Sequence, residues 1–477
     1  VRRTALKRPA WTIGRPQSAA IVAGLVLSLS VTIFLMVRAV TVHQIDLAVF
    51  QDAGAAYLDR MPLYSADFPT RSGLRFIYAP IAAVLFAPMT LLGMGSLQIV
   101  WSAINIVLVW WVLASVLRKL QVTRPAVVAL AALGVALLLE PVRSNFAFGQ
   151  INIVLMALVV ADCTGAIPQR LRGVGMAVAA SIKITPAAFG LFFLVRRDFA
   201  SIARAAAAVG IIAAIGFWLL PGASLYFWLT EFFATERGGG HSFVRNQALT
   251  GILARLGADD LLKDVLWLAA AIVIVCAAAW SARRFVRSGE SMVAFAIVAL
   301  ASLLAAPFAV SHHWVYSVLL IPLAIAPQYR SWRPMLVPAI AVFIAGPHYV
   351  LDGIDADSGW FEVTWRQLVG NGQALVGVAL LVAAVLQART RPQPRFPRGR
   401  RCRWPEPARD PFGQCSFPRL PLNRSCRSID GLFRPTMSTV LPLAAYFMVI
   451  ASSVATVDAS QMCESDMSMT MFFGSPM

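Results

Sequence analysis

What limits this chain most is a succession of apolar runs, the longer ones near the ~20 residues that carry a helix across a bilayer. The first covers residues 18–40. Others cover 97–116, 125–139, 151–163, 205–221, 265–282, 292–310, 314–327, 335–348 and 370–388. Of the 477 residues, 58% are hydrophobic and only 13% are charged. A backbone crossing lipid must satisfy its own hydrogen bonds, so runs of this kind fold as helices. The expectation is an all-α polytopic membrane protein with about ten to twelve transmembrane or re-entrant helices.

The net charge of +18 does not indicate nucleic-acid binding. The arginines stand mainly at the ends of apolar runs, the positive-inside pattern, and no soluble basic face gathers them. Six cysteines form neither a disulfide nor a metal framework. Cys163 and Cys276 read as small buried residues; Cys402, Cys415, Cys426 and Cys463 lack CxxC spacing.

Charge also sets the expected topology. The basic start VRRTALKRPAWTIGR makes residues 1–17 a cytoplasmic N-terminus, and the first run is too long for a signal-peptide core. Residues 41–78 then lie outside. Because RKLQVTR (118–124) belongs in the cytoplasm, the short run 79–92 is expected to be re-entrant. EPVRSNFAFGQ (140–150) reads as an outer turn, PQRLRG (168–173) lies inside, and SIKITP (181–186) breaks the run 173–195. Residues 222–262 form a long outer loop, and SHHW (311–314) and DGIDADSGW (352–360) are also outside. The membrane domain is 18–388. Residues 389–436 carry twelve Arg against Glu406, Asp410 and Asp430, with many Pro, and read as a disordered cytoplasmic tail able to touch anionic headgroups. Residues 437–477 read as a further membrane segment or a read-through product.

Polar groups inside apolar protein are costly, so their positions are informative. On this topology Asp46, Asp52, Arg75, Tyr78, Glu140, Arg143, Asn145, Gln150, Glu231, His241, Arg245, Asn246, Gln247, His312, His313, His348 and Asp352 gather on one face. Asp46 opens an amphipathic stretch directly after the first run, and reads equally as a helix N-cap or a base. Asp52 lies on another helical face and reads as supporting or solvated; Asp59 and Asp67 read as solvated. Lys183, mid-run, suits a phosphate or a carboxylate partner. Asn246 and Gln247 serve equally as turn closers or as sugar-hydroxyl partners. His312 and His313 lack HExxH spacing and a third ligand, so no metal site is expected. Gly238–Gly240 reads as a flexible turn, with no strand before it to build a phosphate cradle.

The ordered segments Asp46-Leu-Ala-Val-Phe, Phe76-Ile-Tyr-Ala-Pro80, Gly149-Gln-Ile-Asn152, Ser181-Ile-Lys-Ile-Thr-Pro186, Asn246-Gln-Ala-Leu-Thr-Gly251 and His312-His-Trp314 resemble the GT-C glycosyltransferases of family 87. The resemblance covers about residues 18–388. It implies a GT-C fold whose outer first loop carries the catalytic acid. It also implies inverting transfer of mannose from polyprenol-phosphate-mannose to a lipid-anchored mannan acceptor, forming α-(1→2) linkages at the outer side of the plasma membrane. Asp46 is then the base. His312, His313, Lys183, Arg75, Tyr78, Arg143, Gln150, Arg245, Asn246 and Gln247 become substrate-binding candidates. No cofactor beyond the donor is implied, and a divalent-metal requirement stays open. The competing readings are a flippase or transporter of lipid-linked saccharide, and a GT-C enzyme using another polyprenol-phosphate sugar.

Overall fold

The computed structural model describes residues 15–65, 67–233, 240–352 and 360–391. The expected N-terminal segment 1–17, for the most part, the tail 389–436 beyond Arg391, the segment 437–477, most of DGIDADSGW and most of Gly238–Gly240 therefore lie outside the described residues. Within them regular structure is helical, with one isolated antiparallel bridge between Asn246 and Val310.

Helices α1 (Arg15–Thr41), α2 (Ile45–Leu58), α3 (Pro80–Phe86), α4 (Met94–Lys119), α5 (Pro125–Leu138) and α6 (Glu140–Phe148) form the first part of the chain. Then come α7 (Asn152–Thr164), α8 (Val174–Ile182), α9 (Gly190–Val195), α10 (Phe199–Leu219), α11 (Pro221–Leu229) and α12 (Leu249–Arg255). The last are α13 (Asp260–Arg287), α14 (Ser291–Leu304), α15 (Leu320–Ile325), α16 (Arg333–Ala345), α17 (Trp360–Gly370) and α18 (Gly372–Thr390).

Five of these are long and apolar enough to cross a membrane: α1, α4, α10, α13 and α18. The bent pair α5–α6 raises the number to six if it is one span. The expected ten to twelve took transmembrane and re-entrant helices together; among the described residues five or six are full spans. The remaining apolar runs fold as helices of 10–17 residues, including residues 80–91, α7 and α14, too short to span alone. The protein is thus a multi-pass membrane protein with long and short helices mixed. α1 and α10 expose most of their apolar side chains, as lipid-facing spans do. Cys276, expected to be buried, is exposed on α13, whereas Cys163 is buried.

Where the chain must pack closely, glycine permits it. A Cβ on Gly24 would meet Ala131 O at 2.5 Å, and one on Gly134 would meet Ser28 N at 2.7 Å, so α1 and α5 touch backbone to backbone.

The breaks have local causes. Leu139 leaves helical geometry (ψ 129°) and Pro141 starts α6 in the first turn, where proline's missing N–H costs nothing. The 75° bend between α5 and α6 follows. Residues 140–148, expected as an outer turn, are therefore a helix, with Glu140, Ser144 and Asn145 buried. At the end of α8, Lys183 is extended (φ −141°, ψ 127°), three residues before Pro186 opens a 3₁₀ turn over Thr185–Phe189. That break matches the expected interruption at SIKITP. The described part of the expected loop 222–262 holds most of α11, then α12 and the start of α13.

Candidate active site

The site begins with a corner. Gln98 on α4 donates through Nε2 to the carbonyls of Ala39 (2.7 Å) and Val42 (3.0 Å), while its Oε1 accepts from Gln44 N at 3.3 Å. Gln44 in turn donates to Phe146 O at 2.8 Å and Ser102 Oγ at 3.2 Å. The turn between α1 and α2 is thereby fixed against α4 and α6. Gln44 is the N-cap residue, so Asp46 falls within the first turn and the capping reading does not hold.

The carboxylate of Asp46 is met by Gln150. Gly149 ends α6 in the left-handed region (φ +73°), where glycine alone is unstrained. A Cβ on it would stand 2.6 Å from Leu47 Cβ and 2.9 Å from Gln44 Cβ, so its absence brings the α6–α7 turn onto α2. Gln150 Nε2 then donates to Asp46 Oδ2 at 2.7 Å. Burial pushes the Asp46 carboxyl up to about 6, against the opposing pull of the Gln150 hydrogen bond and the Lys183 charge.

From Gln150 the polar contacts continue as a chain. Its Oε1 accepts from Tyr78 OH (3.3 Å) and Asn152 Nδ2 (3.4 Å). Asn152 Oδ1 accepts from Lys183 Nζ at 3.2 Å, and Lys183 Nζ lies 2.8 Å from His313 Nε2. An ammonium can only donate, so Nε2 of His313 is the acceptor there. Burial, then the Asp46 charge, raises the Tyr78 phenol, which stays a donor. Lys183 also lies 5.9 Å from the centre of the Tyr78 ring. Asn145 holds the His loop from behind, donating to His312 O at 2.8 Å. Five helix ends and loops thus deliver one carboxylate, one ammonium and one imidazole to a single network.

Beside it lies a second group. Glu140, 2% exposed, accepts from Ser311 Oγ (3.1 Å) and Gln373 Nε2 (3.0 Å). Its Oε1 is 3.9 Å from Arg245 Nη1 and 3.7 Å from His348 Nε2. Arg245 lies over the rings of Phe148 (5.2 Å) and Tyr349 (5.0 Å), and Phe148 packs edge-on against His312 at 5.9 Å.

Of the residues expected in the site, the structure brings Asp46, Tyr78, Gln150, Lys183 and His313 together directly, with His312 adjoining. Arg143 and Arg245 belong to the neighbouring group; Arg143 Nη2 donates to Ile344 O at 2.8 Å. Arg75 is elsewhere, largely exposed and 3.8 Å from Glu231. Asn246 and Gln247, read as turn closers or as sugar-hydroxyl partners, are both completely buried and make the contacts of the first reading. Asn246 Oδ1 accepts from Ala248 N and Ala309 N, its Nδ2 donates to His241 O, and Gln247 Nε2 donates to Gly370 O. With Gln247 N bonded to Ala309 O and Ser311 N to Arg245 O, they tie residues 245–247 to 309–311 and so position the His pair. Asp52 is not solvated: it is 5% exposed and clamps Arg71 through Arg71 N (2.9 Å) and Nε (2.5 Å).

Asn152 was missed as a site residue, although it stands in the quoted Gly149–Asn152 segment; its bridging position depends on Lys183 folding back from another helix. Among the described residues no group of three or more His, Cys, Asp or Glu converges as a metal-ligand set.

The profile of glycosyltransferase family 87 matches residues 76–311. A polyprenol-phosphate-mannose-dependent alpha-(1-2)-phosphatidylinositol mannoside mannosyltransferase of Mycobacterium tuberculosis is 34% identical over 385 residues, 75% of this chain and 89% of that protein. Its namesake from Mycolicibacterium smegmatis is 34% identical over 73% of this chain and 85% of its own length. A pentamannoside mannosyltransferase of M. smegmatis is 34% identical over 56% of this chain and 62% of its own length. No solved structure is significantly similar. The matched region holds Tyr78, Gln150, Asn152 and Lys183, and the longer alignments extend the likeness well beyond it: the chain belongs to glycosyltransferase family 87 and is a membrane-bound glycosyltransferase.

Proposed function

We propose that this protein moves mannose from polyprenol-phosphate-mannose to a lipid-anchored mannoside, with inversion at the anomeric carbon, forming an α-(1→2) bond. The observation that carries the reading is the single network from the Asp46 carboxylate through Gln150 and Asn152 to Lys183 and His313. Its two ends suit the two partners of one displacement. The acceptor hydroxyl loses its proton to Asp46 as its oxygen attacks the anomeric carbon. The bond from that carbon to the phosphate oxygen breaks on the opposite side, and the departing phosphate gains a negative charge that Lys183 and the His pair are placed to receive. A carboxyl with its pKa near 6 is ionised at neutral pH yet more basic than an exposed aspartate. The names of the relatives support the donor, acceptor and linkage.

The mixture of long and short apolar helices supports a GT-C arrangement of full spans and re-entrant segments. Asp46 follows directly on the first span, and a basic N-terminal flank supports an outer, periplasmic position for it.

The test is transfer by purified protein in detergent, where no compartments exist. Wild type is expected to form mannosylated product from polyprenol-phosphate-mannose and a phosphatidylinositol mannoside, and Asp46→Asn to form none while retaining donor binding. Normal turnover by Asp46→Asn sinks the base assignment. Binding without transfer by wild type favours the transporter reading.

A further inference from the structure

The second polar group borders a cavity of about 310 Å³, set between the end of α1, α6, Arg245 and Tyr349. Its walls are mainly apolar, yet three arginines line it: Arg38, Arg143 and Arg245. Glu140 is its one lining acid, and both Glu140 oxygens already accept hydrogen bonds, from Ser311 and Gln373. Three guanidinium groups against one committed carboxylate leave the cavity positive. Arg143 Nε is buried with no hydrogen-bond partner. An unpartnered donor of this kind in apolar surroundings is costly unless an anion takes it. Guanidinium groups match phosphate oxygens geometrically, and α1 leads a lipid-borne phosphate to them directly.

The cavity is distinct from the Lys183 station. Gln44 lines it, whereas Asp46, two residues on, points into the Gln150 network. Lys183 is the cation whose charge draws the Asp46 carboxyl down. The ring of Phe148 stands between, touching His312 on one side and Arg245 on the other. A leaving phosphate must adjoin the anomeric carbon, hence the base, and Lys183 meets that need. The arginines are placed for a second phosphate.

We propose that the Arg38–Arg143–Arg245 cavity binds the phosphodiester of the acceptor lipid, holding a phosphoinositide acceptor while its sugar end reaches Asp46. This rests on the transferase reading given above. Arg38, on an exposed face of α1, is the least disruptive probe.

The experiment uses the full chain in detergent, with polyprenol-phosphate-mannose and two acceptors: a phosphatidylinositol mannoside and an uncharged alkyl mannoside. For Arg38→Gln and the Arg38→Gln/Arg143→Gln pair, the ratio of kcat/KM for the charged to the neutral acceptor should fall about tenfold or more, through KM of the charged acceptor. An unchanged ratio overturns the proposal. So does an equal fall for both acceptors with a raised donor KM, which would assign the cavity to the donor phosphate. Native mass spectrometry supplies a readout that does not need turnover. Wild type should retain phosphatidylinositol over phosphatidylcholine, and the double variant should lose that preference while keeping its melting temperature. If wild type transfers mannose to neither acceptor, the transferase reading fails, and equal retention of the two lipids then refutes the cavity assignment as well.

Discussion

Two aspartates stand near opposite ends of α7, a 13-residue helix about 20 Å long, and they are held in contrasting ways. Asp162, near its C-terminus, is 1% exposed and accepts from the backbone amides of Gly173 (2.8 Å) and Met176 (2.7 Å). Those donors belong to the first turn of α8, so Asp162 closes a helix end that would otherwise leave amides unsatisfied. Asp46, beyond the N-terminal end, accepts from one side-chain amide, Gln150, and sits within the influence of a lysine. Backbone donors fix a carboxylate for the life of the fold. Side-chain donors leave it an open oxygen and a tunable basicity. The difference lies in who the partners are; solvent exposure alone would have ranked Asp162 first.

Breaking the contrast at its chemical end should have the largest effect. Asp46→Asn is expected to lower kcat by roughly 10²–10⁴, the usual worth of a general base, with the melting temperature little changed. Product formation under saturating donor measures it, and near-normal turnover would equate the two aspartates. Next, Lys183→Met should cost about 10²–10³ in kcat, because it removes the charge facing the departing phosphate. A fall confined to KM would instead make Lys183 a ground-state anchor.

A finer test alters the tuning of Asp46. The base works ionised, so kcat/KM should rise with pH up to about 6 and then level off. Both the Gln150 hydrogen bond and the Lys183 charge lower that value, so Gln150→Leu should move the acidic limb to higher pH. An acidic limb that stays in place would show that Gln150 does not touch the titrating group. The smallest effect on rate belongs to Asp162→Asn. It should leave kcat within about twofold while costing about 1–3 kcal/mol of stability, read as a lower melting temperature. A large loss of kcat without destabilisation would overturn the division of roles.

Much of this was legible beforehand because polar groups are expensive near lipid. Asp46, Tyr78, Gln150, Lys183 and His313 stood out on that ground, and they do converge. The same rule left two roles open for Asn246 and Gln247. Asn246 Oδ1 accepts from Ala309 N and Gln247 Nε2 donates to Gly370 O, partners more than sixty residues away that no local pattern reveals. Arg75 was grouped by the side of the membrane alone, and Glu231 takes it elsewhere. Arg38 carried an unread signal: a cation at the end of the first span opposite its basic N-terminal flank departs from the positive-inside pattern, which calls for a reason.

The amino-acid sequence by itself determined that the chain is helical and membrane-bound, where its runs break, and that an acid follows the first span. Hydropathy, proline and charge act over neighbouring residues, so these outcomes are local. Which groups become partners was decided only by tertiary structure. Gly149 had to meet Leu47 before Gln150 could reach Asp46, and α8 had to stop at Lys183 before its ammonium could reach His313. A hydrogen bond of about 3 Å is settled by packing among helices far apart in the chain, and that packing is what separates the base from its structural counterpart.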